Sequence, residues 1–474
     1  MVSYHHLKSQ MFEAIRVGEP GEFSMRMPMR PPDDGPALKQ LFSDVSLAQK
    51  AFASPMLHGG PYLHWDDLRR RPPPEGLTHE QWWAAVKMQR RGARVHTPFL
   101  DKNGQPFWFC ELPSIRATLR NVDLHWGGAI GSTMTGTPTP GEGRTYLVRS
   151  LAEEPFSSSF LEGAATTREI AKELIFRARA PKTRDERMVL NNYRALIHVK
   201  QTQTAPLSPQ LICELHRIVT QGTLDRPEMA GVMRGPTDPV HVTDGPTDEI
   251  LHTPPAAAEL TGRLQLICDF ANAPDDTANF IHPALKAVIV HFMIGYDHPF
   301  IDGNGRTARA LFYWMMLKAG YWLSEYVSIS SVIKDAPIQY GRAYLETETD
   351  EGDLTYFLLN QCKAIAESEK RLHAYVDRKR KEVENLAAVI EKSRREGGYN
   401  HRQTALLNDF IRRRLSSVNI SSHQKSHSVS YHTSRNDLEE LTRRGLLTKR
   451  RLGRDTMYTA AAGLDRKLLG ASVS

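Results

Sequence analysis

The chain has 474 residues, of which 40% are hydrophobic and 24% are charged, a composition typical of globular proteins and unlike that of disordered chains. A single core rarely serves more than about 250 to 300 residues, so this length predicts two to four domains. No apolar run in the sequence approaches the roughly 20 residues of a membrane span, so we expect no membrane partner.

The cysteines and the first residues indicate the compartment. Cys110, Cys213, Cys268 and Cys362 are scattered without paired spacing, which argues against a disulfide or zinc framework and favours a reducing environment. The start of the sequence lacks a basic segment followed by an apolar one, so we predict no signal peptide and a cytoplasmic location.

The net charge of +7 is unevenly distributed along the chain. Residues 401–460 carry 12 Lys or Arg and 5 Asp or Glu, whereas the first 400 residues carry 47 basic and 48 acidic side chains. The basic excess therefore belongs to the C-terminal part alone, which predicts a polyanionic partner for that part.

The first 145 residues divide into two predicted segments. Residues 1–45 are an irregular, proline-rich lead-in, and residues 46–145 form a small α+β accessory domain that ends in a linker at 133–144. Thr78 and Gln81 match a capping box that opens a helix. The domain is interpreted as a packing scaffold or as a target-recognition surface. Its predicted elements are a helix through Arg90 and two strands, at 97–100 and 106–110.

Apolar residues recur at helical spacing in several stretches of residues 146–373, which predicts helices there. Between two of these helices, residues 231–234 and 240–242 flank a Gly-Pro turn, and we predict that they form a β-hairpin. Several of the predicted helices surround a core, at 167–199 (broken at 180–181), 208–219, 254–271, 278–296 and 353–369.

The stretch from His298 to Arg309, with the sequence HPFIDGNGRTAR, joins two of the apolar helices. Its turn opens a helix whose first N–H groups lack intrahelical partners, and such amides bind anions. Arg306 and Arg309 are three residues apart and so share a helix face. Asp302 supplies the single carboxylate that suits Mg²⁺ beside substrate phosphates, and His298 suits proton abstraction near neutral pH. These residues predict a nucleotide-phosphate site with its own general base.

This stretch resembles the Fic motif, H-P-F-x-[DE]-G-N-G-R-x-x-R, at every defined position. The resemblance implies a mainly α protein with an all-helical Fic core that transfers AMP from ATP to a Ser, Thr or Tyr hydroxyl of a protein target, which can be the chain itself. It implies that His298 is the catalytic base and that Asp302 holds Mg²⁺. The resemblance implies that Phe300 anchors the loop and that Gly303, Asn304 and Gly305 form a turn in which the Asn304 amide orients a phosphate. It implies that Arg306 lies at the β-phosphate and Arg309 at the γ-phosphate. Two further implied nucleotide-binding residues are Thr307 and Tyr340.

A second stretch, upstream of the core, resembles the Fic inhibitory motif [ST]-x-x-x-E-[GN]. Ser158, Glu162 and Gly163 occupy its defined positions, on a predicted helix at about 157–167, as in class II Fic proteins. A glutamate that reaches Arg309 would neutralise it, and an ion pair at a partly screened site is worth roughly 1–4 kcal/mol. The resemblance also implies a second role for Glu162, the positioning of water that removes AMP. From the residues alone, Ser158 is equally a helix cap and Glu162 a solvated side chain.

The resemblance gives the predicted hairpin, with Val240, His241 and Val242, the role of a flap that pairs with the backbone of a target. It also places Tyr340 near the nucleotide. Tyr340 and Gly341 stand where a pair of tyrosines is common in the family, so a core aromatic stripe is the alternative reading for Tyr340. We interpret His291 as a core histidine.

The C-terminal part is predicted to be a connector helix at 374–400, interpreted also as a possible homodimer seam, followed by a winged helix at 401–474. The recognition helix begins near Ser430, and the alternatives for the module are DNA binding and protein docking. Base contacts would come from Tyr431, His432, Thr433, Arg435 and Asn436, and phosphate contacts from Lys449, Arg450, Arg451 and Arg454.

The sequence therefore predicts an adenylyltransferase that Glu162 inhibits. Two alternatives stay open at this point. The first is a DNA-binding regulator whose Fic core senses a nucleotide. The second is a Fic transferase that uses another phosphate-containing donor.

Overall fold

The computed structural model describes residues 25–53, 61–127, 151–244, 247–275, 280–412, 415, 417–452 and 455–470. The chain divides into two compact units, one made of residues 1–134 and 149–370 and the other of residues 135–148 and 371–474. The predicted mainly helical class is confirmed. Across these described ranges, no helix combines the length and the apolarity needed to cross a bilayer. The predicted linker at 133–144 and the wing residue Arg454 lie outside the described residues.

The accessory part of the first unit has the predicted α+β character. The capping box at Thr78 is present, with the Gln81 backbone N–H donated to the Thr78 hydroxyl and the Gln81 side chain accepting from the Thr78 N–H. The two strands pair antiparallel, and the first begins three residues earlier than predicted. The elements are α1 (Gly35–Ser43), α2 (Val45–Ala53), α3 (Trp65–Leu68), α4 (His79–Gly92), β1 (Arg94–Leu100), β2 (Pro106–Cys110) and α5 (Pro113–His125).

Buried charges hold α4 against the loop at residues 350–354. Lys87 Nζ lies 2.6 Å from Asp350 Oδ1, and both side chains are almost inaccessible to solvent. Arg90 donates to the Tyr356 hydroxyl at 2.6 Å, and its guanidinium lies 3.7 Å from the centre of the Tyr62 ring. Because buried charges are stable only when they are paired, these contacts specify how the accessory part packs on the helical core.

Two helices of the core, α11 (Pro283–Asp297) and α12 (Asn304–Lys318), are buried along nearly their whole length. A helix that is apolar on every side must be surrounded by other elements, so this pair is the centre of the unit. The helices around it are α6 (Glu153–Leu161), α7 (Arg168–Phe176), α8 (Arg184–Thr202), α9 (Pro209–Thr220), α10 (Leu260–Asn272), α13 (Ile329–Asp335) and α14 (Pro337–Thr349).

The β-hairpin differs from the predicted one. The strands are β3 (Val242–Thr243) and β4 (Ile250–His252), which pair antiparallel, so the prediction that residues 231–234 form the first strand is wrong. Arg234 instead turns inward, is 8% exposed, and donates to the carbonyls of His298 and Pro255. Only Val242 of the three predicted flap residues belongs to a strand.

The second unit contains the predicted helices and wing strands. The predicted break between a core helix and a connector at 374–400 is wrong, because one helix, α15, runs from Thr355 to Arg395. Ser430 caps the helix that was predicted to read DNA, and a three-stranded sheet has the order β5-β7-β6. The elements after α15 are α16 (His401–Ile411), β5 (Val418–Asn419), α17 (Ile420–His427), α18 (Tyr431–Arg443), β6 (Leu447–Leu452), β7 (Asp455–Ala460) and α19 (Leu464–Gly470).

Candidate active site

His298 lies at the C-terminal end of α11, where the backbone leaves the helix. Its φ of 46° is in the left-handed region, a conformation that a non-glycine residue keeps only when its surroundings hold it. Arg234 supplies part of that hold, since its Nε donates to the His298 carbonyl at 2.8 Å and its own N–H donates to the Pro299 carbonyl at 2.9 Å.

The surroundings of His298 prepare it to act as a base. Burial lowers the pKa of His298 to about 4, although the nearby Gly295 carbonyl opposes this shift. Nδ1 lies 3.0 Å from the Gly295 carbonyl oxygen, and a carbonyl can only accept. The neutral ring therefore carries its proton on Nδ1 and keeps the Nε2 lone pair as its acceptor.

Asn304 closes the loop between His298 and α12. Its Oδ1 accepts from the Phe300 N–H at 2.9 Å, and its Nδ2 donates to the Phe300 carbonyl at 2.8 Å. Both side chains are buried, Asn304 at 2% and Phe300 at 0% exposure. The buried Phe300 anchors the loop, and the Asn304 amide bonds the Phe300 backbone. The role of this amide in orienting a phosphate stays a prediction.

His216 on α9 also contacts this loop, and no motif in the sequence points to it. Its ring stacks on Phe300 with a centroid distance of 3.7 Å and an interplanar angle of 3°. Nδ1 accepts from the Gly231 N–H and Nε2 donates to the Asp302 carbonyl, each at 2.8 Å. Burial lowers the pKa of His216 to about 4, which favours the neutral tautomer that these two bonds require.

Gly303 precedes the first turn of α12. Its φ is 82°, and a Cβ at this position would lie 2.5 Å from Thr220 Cγ2, so both conformation and space require glycine. The Thr307 hydroxyl donates back to the Gly303 carbonyl at 2.9 Å and is fully buried. Thr307 therefore closes the helix turn, and its contact with a nucleotide stays a prediction. The first amides of α12 remain the anion-binding groups that a helix N-terminus offers.

Asp302 is the candidate metal ligand. Its side chain is 45% exposed. Oδ1 accepts from the Gly303 N–H at 2.5 Å, while Arg306 Nη2 lies at 3.3 Å from both oxygens. The described residues contain no group of three or more His, Cys, Asp or Glu that could hold a metal. A lone, accessible carboxylate fits Mg²⁺, which takes its other ligands from phosphates and water.

Arg306 and Arg309 point in different directions. Arg306 donates to the Val219 carbonyl at 3.1 Å and is 2% exposed. Its Nε is buried and has no partner among the described atoms. Arg309 is equally buried and contacts the upstream helix α6.

The predicted pairing of Arg309 with Glu162 is present. Arg309 Nη2 donates to Glu162 Oε1 at 2.9 Å and to the Ser158 carbonyl at 3.0 Å, and its Nε donates to the Ser158 hydroxyl at 2.9 Å. Burial alone would lower the pKa of Arg309, but the Glu162 carboxylate outweighs it and the pKa is raised. The ion pair therefore fixes a charged guanidinium in a dry site.

The helix that carries Glu162 is shorter and earlier than predicted. It spans Glu153–Leu161 rather than about 157–167, because Gly163 takes a φ of 85° and ends it. Ser158 is buried inside the helix, so the reading of Ser158 as its cap is wrong. Glu154 anchors α6 to α13, accepting from Ser328 Oγ at 2.8 Å, from the Ser330 N–H at 3.1 Å and from the Ser330 hydroxyl.

A cavity of about 250 Å³ joins these groups. Its polar lining comes from His298, Arg309 and Glu162, with His252 and Glu348. Among the flap residues only Val242 lines it; His241 is exposed. Asp302 and Arg306 are not among the lining residues. Most of the remaining lining is apolar or aromatic, from Met25, Leu251, Tyr296, Tyr340, Tyr344 and Leu345.

Tyr340 belongs both to this cavity and to the core. Its hydroxyl lies 2.9 Å from His291 Nε2 and 3.4 Å from the Tyr344 hydroxyl, and its ring packs against Phe357. His291 is fully buried, as predicted. The aromatic stripe therefore forms part of the cavity wall, and contacts with His291 and Phe357 fix the position of Tyr340.

Part of the chain is similar to known proteins. Residues 206–316 match the model of the Fic/DOC family. The chain is similar to a protein adenylyltransferase Fic of Drosophila willistoni, 29% identical over 128 residues that cover 26% of this chain and 22% of that protein. It is 37% identical to one of Nematostella vectensis over 70 residues, which cover 15% and 16%. These matches span less than a quarter of the length of either relative.

Solved structures that are similar to this chain include Fic-1 of C. elegans. The likeness has a TM-score of 0.43 and 22% identity, and it covers 55% of this chain and 71% of that one. A Fic family protein from Desulfovibrio desulfuricans G20 has a TM-score of 0.43 and 18% identity, with 74% and 97% covered.

Replacing Asn304 by Ala tests whether this side chain builds the loop. The change leaves the buried N–H and carbonyl of Phe300 without partners, so we expect the free energy of unfolding of the first unit to fall by about 2–4 kcal/mol. Urea denaturation followed by tryptophan fluorescence measures it. Asn103→Ala is the control, since Asn103 is exposed and its side chain donates to Asp101 Oδ2 at 3.3 Å on the surface. Equal stability of the two variants would contradict the assigned role.

Proposed function

Because residues 206–316 form a Fic domain, we propose that the protein is an adenylyltransferase that transfers AMP from ATP to a hydroxyl group of a protein and that Glu162 holds it inactive. The observation that carries the proposal is that one cavity brings together a neutral histidine and a buried arginine that already binds a carboxylate. A carboxylate on a guanidinium occupies the position that a phosphate oxygen would take.

The reaction uses His298 as its base. Nε2 takes the proton of a Ser, Thr or Tyr hydroxyl while that oxygen forms a bond to the α-phosphorus of ATP. The bond between the α-phosphorus and the bridging oxygen breaks, and pyrophosphate leaves with the electron pair. Catalysis of this kind depends mainly on positioning and on charge stabilisation.

The charge of the phosphates is met by groups that are already in place. The N-terminal amides of α12, with Gly303–Gly305, face the phosphates, and Arg309 binds the terminal phosphate once Glu162 has left. Asp302 would hold Mg²⁺, which supplies charge neutralisation between the phosphates. Arg306 holds the Asp302 carboxylate, and the contact with the β-phosphate that the resemblance implies for Arg306 stays a prediction.

The hairpin is the proposed docking edge for the target. His252 at the end of β4 joins it to the core, with Nε2 2.7 Å from the Tyr296 carbonyl and Nδ1 2.8 Å from Glu348. Ile250 on the same strand is 51% exposed. A short strand with an exposed apolar side chain suits pairing with an extended segment of a target protein.

We place the protein in the cytoplasm, because its four cysteines are unpaired.

DNA binding through the second unit is a second candidate function. Tyr431, His432, Arg435 and Asn436 are exposed on the first turns of α18, where a recognition helix contacts bases. Among the predicted phosphate contacts, Lys449 is paired with Glu439 at 2.9 Å. Arg450 and Arg451 are exposed and form no ion pair with the described residues. Exposed arginines on the wing favour contact with a phosphate backbone.

Glu162→Gly is expected to raise transfer of AMP, because it removes the carboxylate that competes for Arg309. We expect an increase of about tenfold or more in AMP-modified protein, corresponding to an ion pair of roughly 1–4 kcal/mol. Intact-mass measurement after incubation with each nucleoside triphosphate reads out both donor and product. His298→Ala in the same background is expected to abolish transfer while nucleotide binding persists. An unchanged rate in Glu162→Gly would sink the inhibition proposal, and transfer without His298 would exclude it as the base.

The pH dependence of Glu162→Gly tests the protonation state of His298. A base with a pKa of about 4 stays neutral above pH 5, and its activity is lost only as the pH falls through about 4. We therefore expect kcat/KM to change less than about twofold between pH 7.5 and 5.5. A histidine at the usual pKa of about 6.5 would lose about tenfold over that range, and such a loss would contradict the lowered pKa.

The DNA proposal predicts a specific salt dependence. Replacing Arg450 and Arg451 together by Ala should reduce the magnitude of the slope of log affinity against log salt by about two, since each phosphate contact contributes about one unit. Fluorescence anisotropy with a labelled duplex between roughly 50 and 200 mM KCl measures the slope. Arg378→Ala, on α15, serves as the control. An unchanged slope, or no binding by the unaltered protein, would contradict the DNA proposal and leave protein docking as the alternative.

A further inference from the structure

The lining of the active-site cavity includes a side chain from far outside the matched segment 206–316. Met25 lines the cavity together with residues of the hairpin and of α14. Its backbone N–H donates to Asp244 Oδ1 at 2.8 Å. Residues 25–33, from which it comes, run without helix or strand and join α1 at Gly35.

Asp244 is a firm anchor for Met25. It is 3% exposed, its Oδ2 accepts from the Thr247 hydroxyl at 2.7 Å, and its backbone N–H donates to the Glu249 carbonyl at 2.9 Å. One carboxylate therefore organises the hairpin turn with one oxygen and holds the N-terminal segment with the other. The position of Met25 is coupled to the hairpin that bounds the cavity.

Gly341 on α14 leaves the room that Met25 fills. A Cβ at position 341 would overlap the methyl group of Met25 and would lie 2.8 Å from its Sδ. Gly341 is in an ordinary helical conformation, with no positive φ, so the backbone itself does not require glycine there. What a larger side chain would displace is the thioether of Met25.

We propose that Met25 is a nucleotide-binding residue that packs against the base of the bound nucleotide. This inference rests on the proposed function and deepens it. The phosphates must lie at His298 and Arg309, so the base is directed to the rest of the cavity. There the lining includes Leu251, Tyr344 and Leu345 as well as Met25, with His252 and Glu348 as polar members. An unbranched, polarisable thioether packs well against a flat aromatic ring.

Equilibrium binding in the Glu162→Gly background tests the proposal, because there the phosphate end is open. Isothermal titration calorimetry with the full chain measures the Kd of ATP and of tripolyphosphate, which has the phosphates but no base. Met25→Ala is expected to weaken ATP binding about three- to tenfold, the range of a thioether–aromatic contact. Tripolyphosphate binding should stay unchanged, which also shows that the variant is folded.

Two further variants make the test specific. Met29→Ala is the matched control, since Met29 belongs to the same segment, is 51% exposed and does not line the cavity. It should bind ATP as the parent does. Gly341→Ala displaces Met25 and should weaken ATP binding to a similar extent. In the double variant with Met25→Ala the added methyl group meets no thioether, so the two losses should not add.

The outcomes separate this inference from the proposed function. Unchanged ATP binding by Met25→Ala, or an equal loss for tripolyphosphate, would overturn the base contact. Tighter ATP binding would also overturn it, since Met25 would then block the cavity rather than line it. If the Glu162→Gly protein binds neither ligand, the proposed function itself fails, whatever Met25 does.

Discussion

A buried guanidinium must have an anion, and that requirement at Arg309 organises the site. Arg309 is 2% exposed, so its charge cannot be met by water, and leaving it unpaired would cost several kcal/mol. In the structure Glu162 and two oxygen atoms of Ser158 satisfy it. The same desolvation that makes the pair with Glu162 strong also makes the site bind any other anion of the right shape. The proposed inhibition and the proposed phosphate binding therefore both depend on the same requirement, an anionic partner for the buried Arg309 charge.

The catalytic loop depends on side chains that make no contact with the cavity. Asn304 satisfies the backbone of Phe300, His216 stacks on its ring and holds the Asp302 carbonyl, and Arg234 holds the His298 carbonyl. Each of these is buried. The dryness that lets them fix the loop is also the main cause of the lowered pKa of His298. The rigidity of the loop and the neutral form of His298 thus have a common physical origin in burial.

The sequence was sufficient for the groups whose chemistry is local. His298, Asp302 and Arg309 lie within twelve residues, and the short loop between α11 and α12 keeps them close. The pairing with Glu162 came from the resemblance to the inhibitory motif, because the residues alone fit a solvated Glu162 equally well. The hairpin could not be placed, because strands of two and three residues carry almost no alternating pattern and depend on tertiary contacts through Asp244 and His252.

Roles that depend on distant contacts were also out of reach. The Asn304 amide suits a phosphate as well as a backbone, and only the fold shows which it meets. His216 and Met25 reach the site from positions 82 and 273 residues before His298, and no motif spacing links them to it. The length of α15 was missed because of a local pattern. Its charged and apolar faces continue from residue 369 to residue 374 without a helix breaker, so nothing there supports the predicted division into two helices.

The residues that line the cavity come from two parts of the chain, inside and outside the segment that matches the family model. The residues that would act on the phosphates and the hydroxyl lie within the matched segment 206–316. Glu162 and Met25 also line the cavity, and both lie outside that segment. The relative of Drosophila willistoni matches 26% of this chain, so its name carries no conclusion about the whole protein. Glu162 follows α6 and Met25 belongs to the N-terminal segment, so the lining of the cavity is not a property of the matched segment alone.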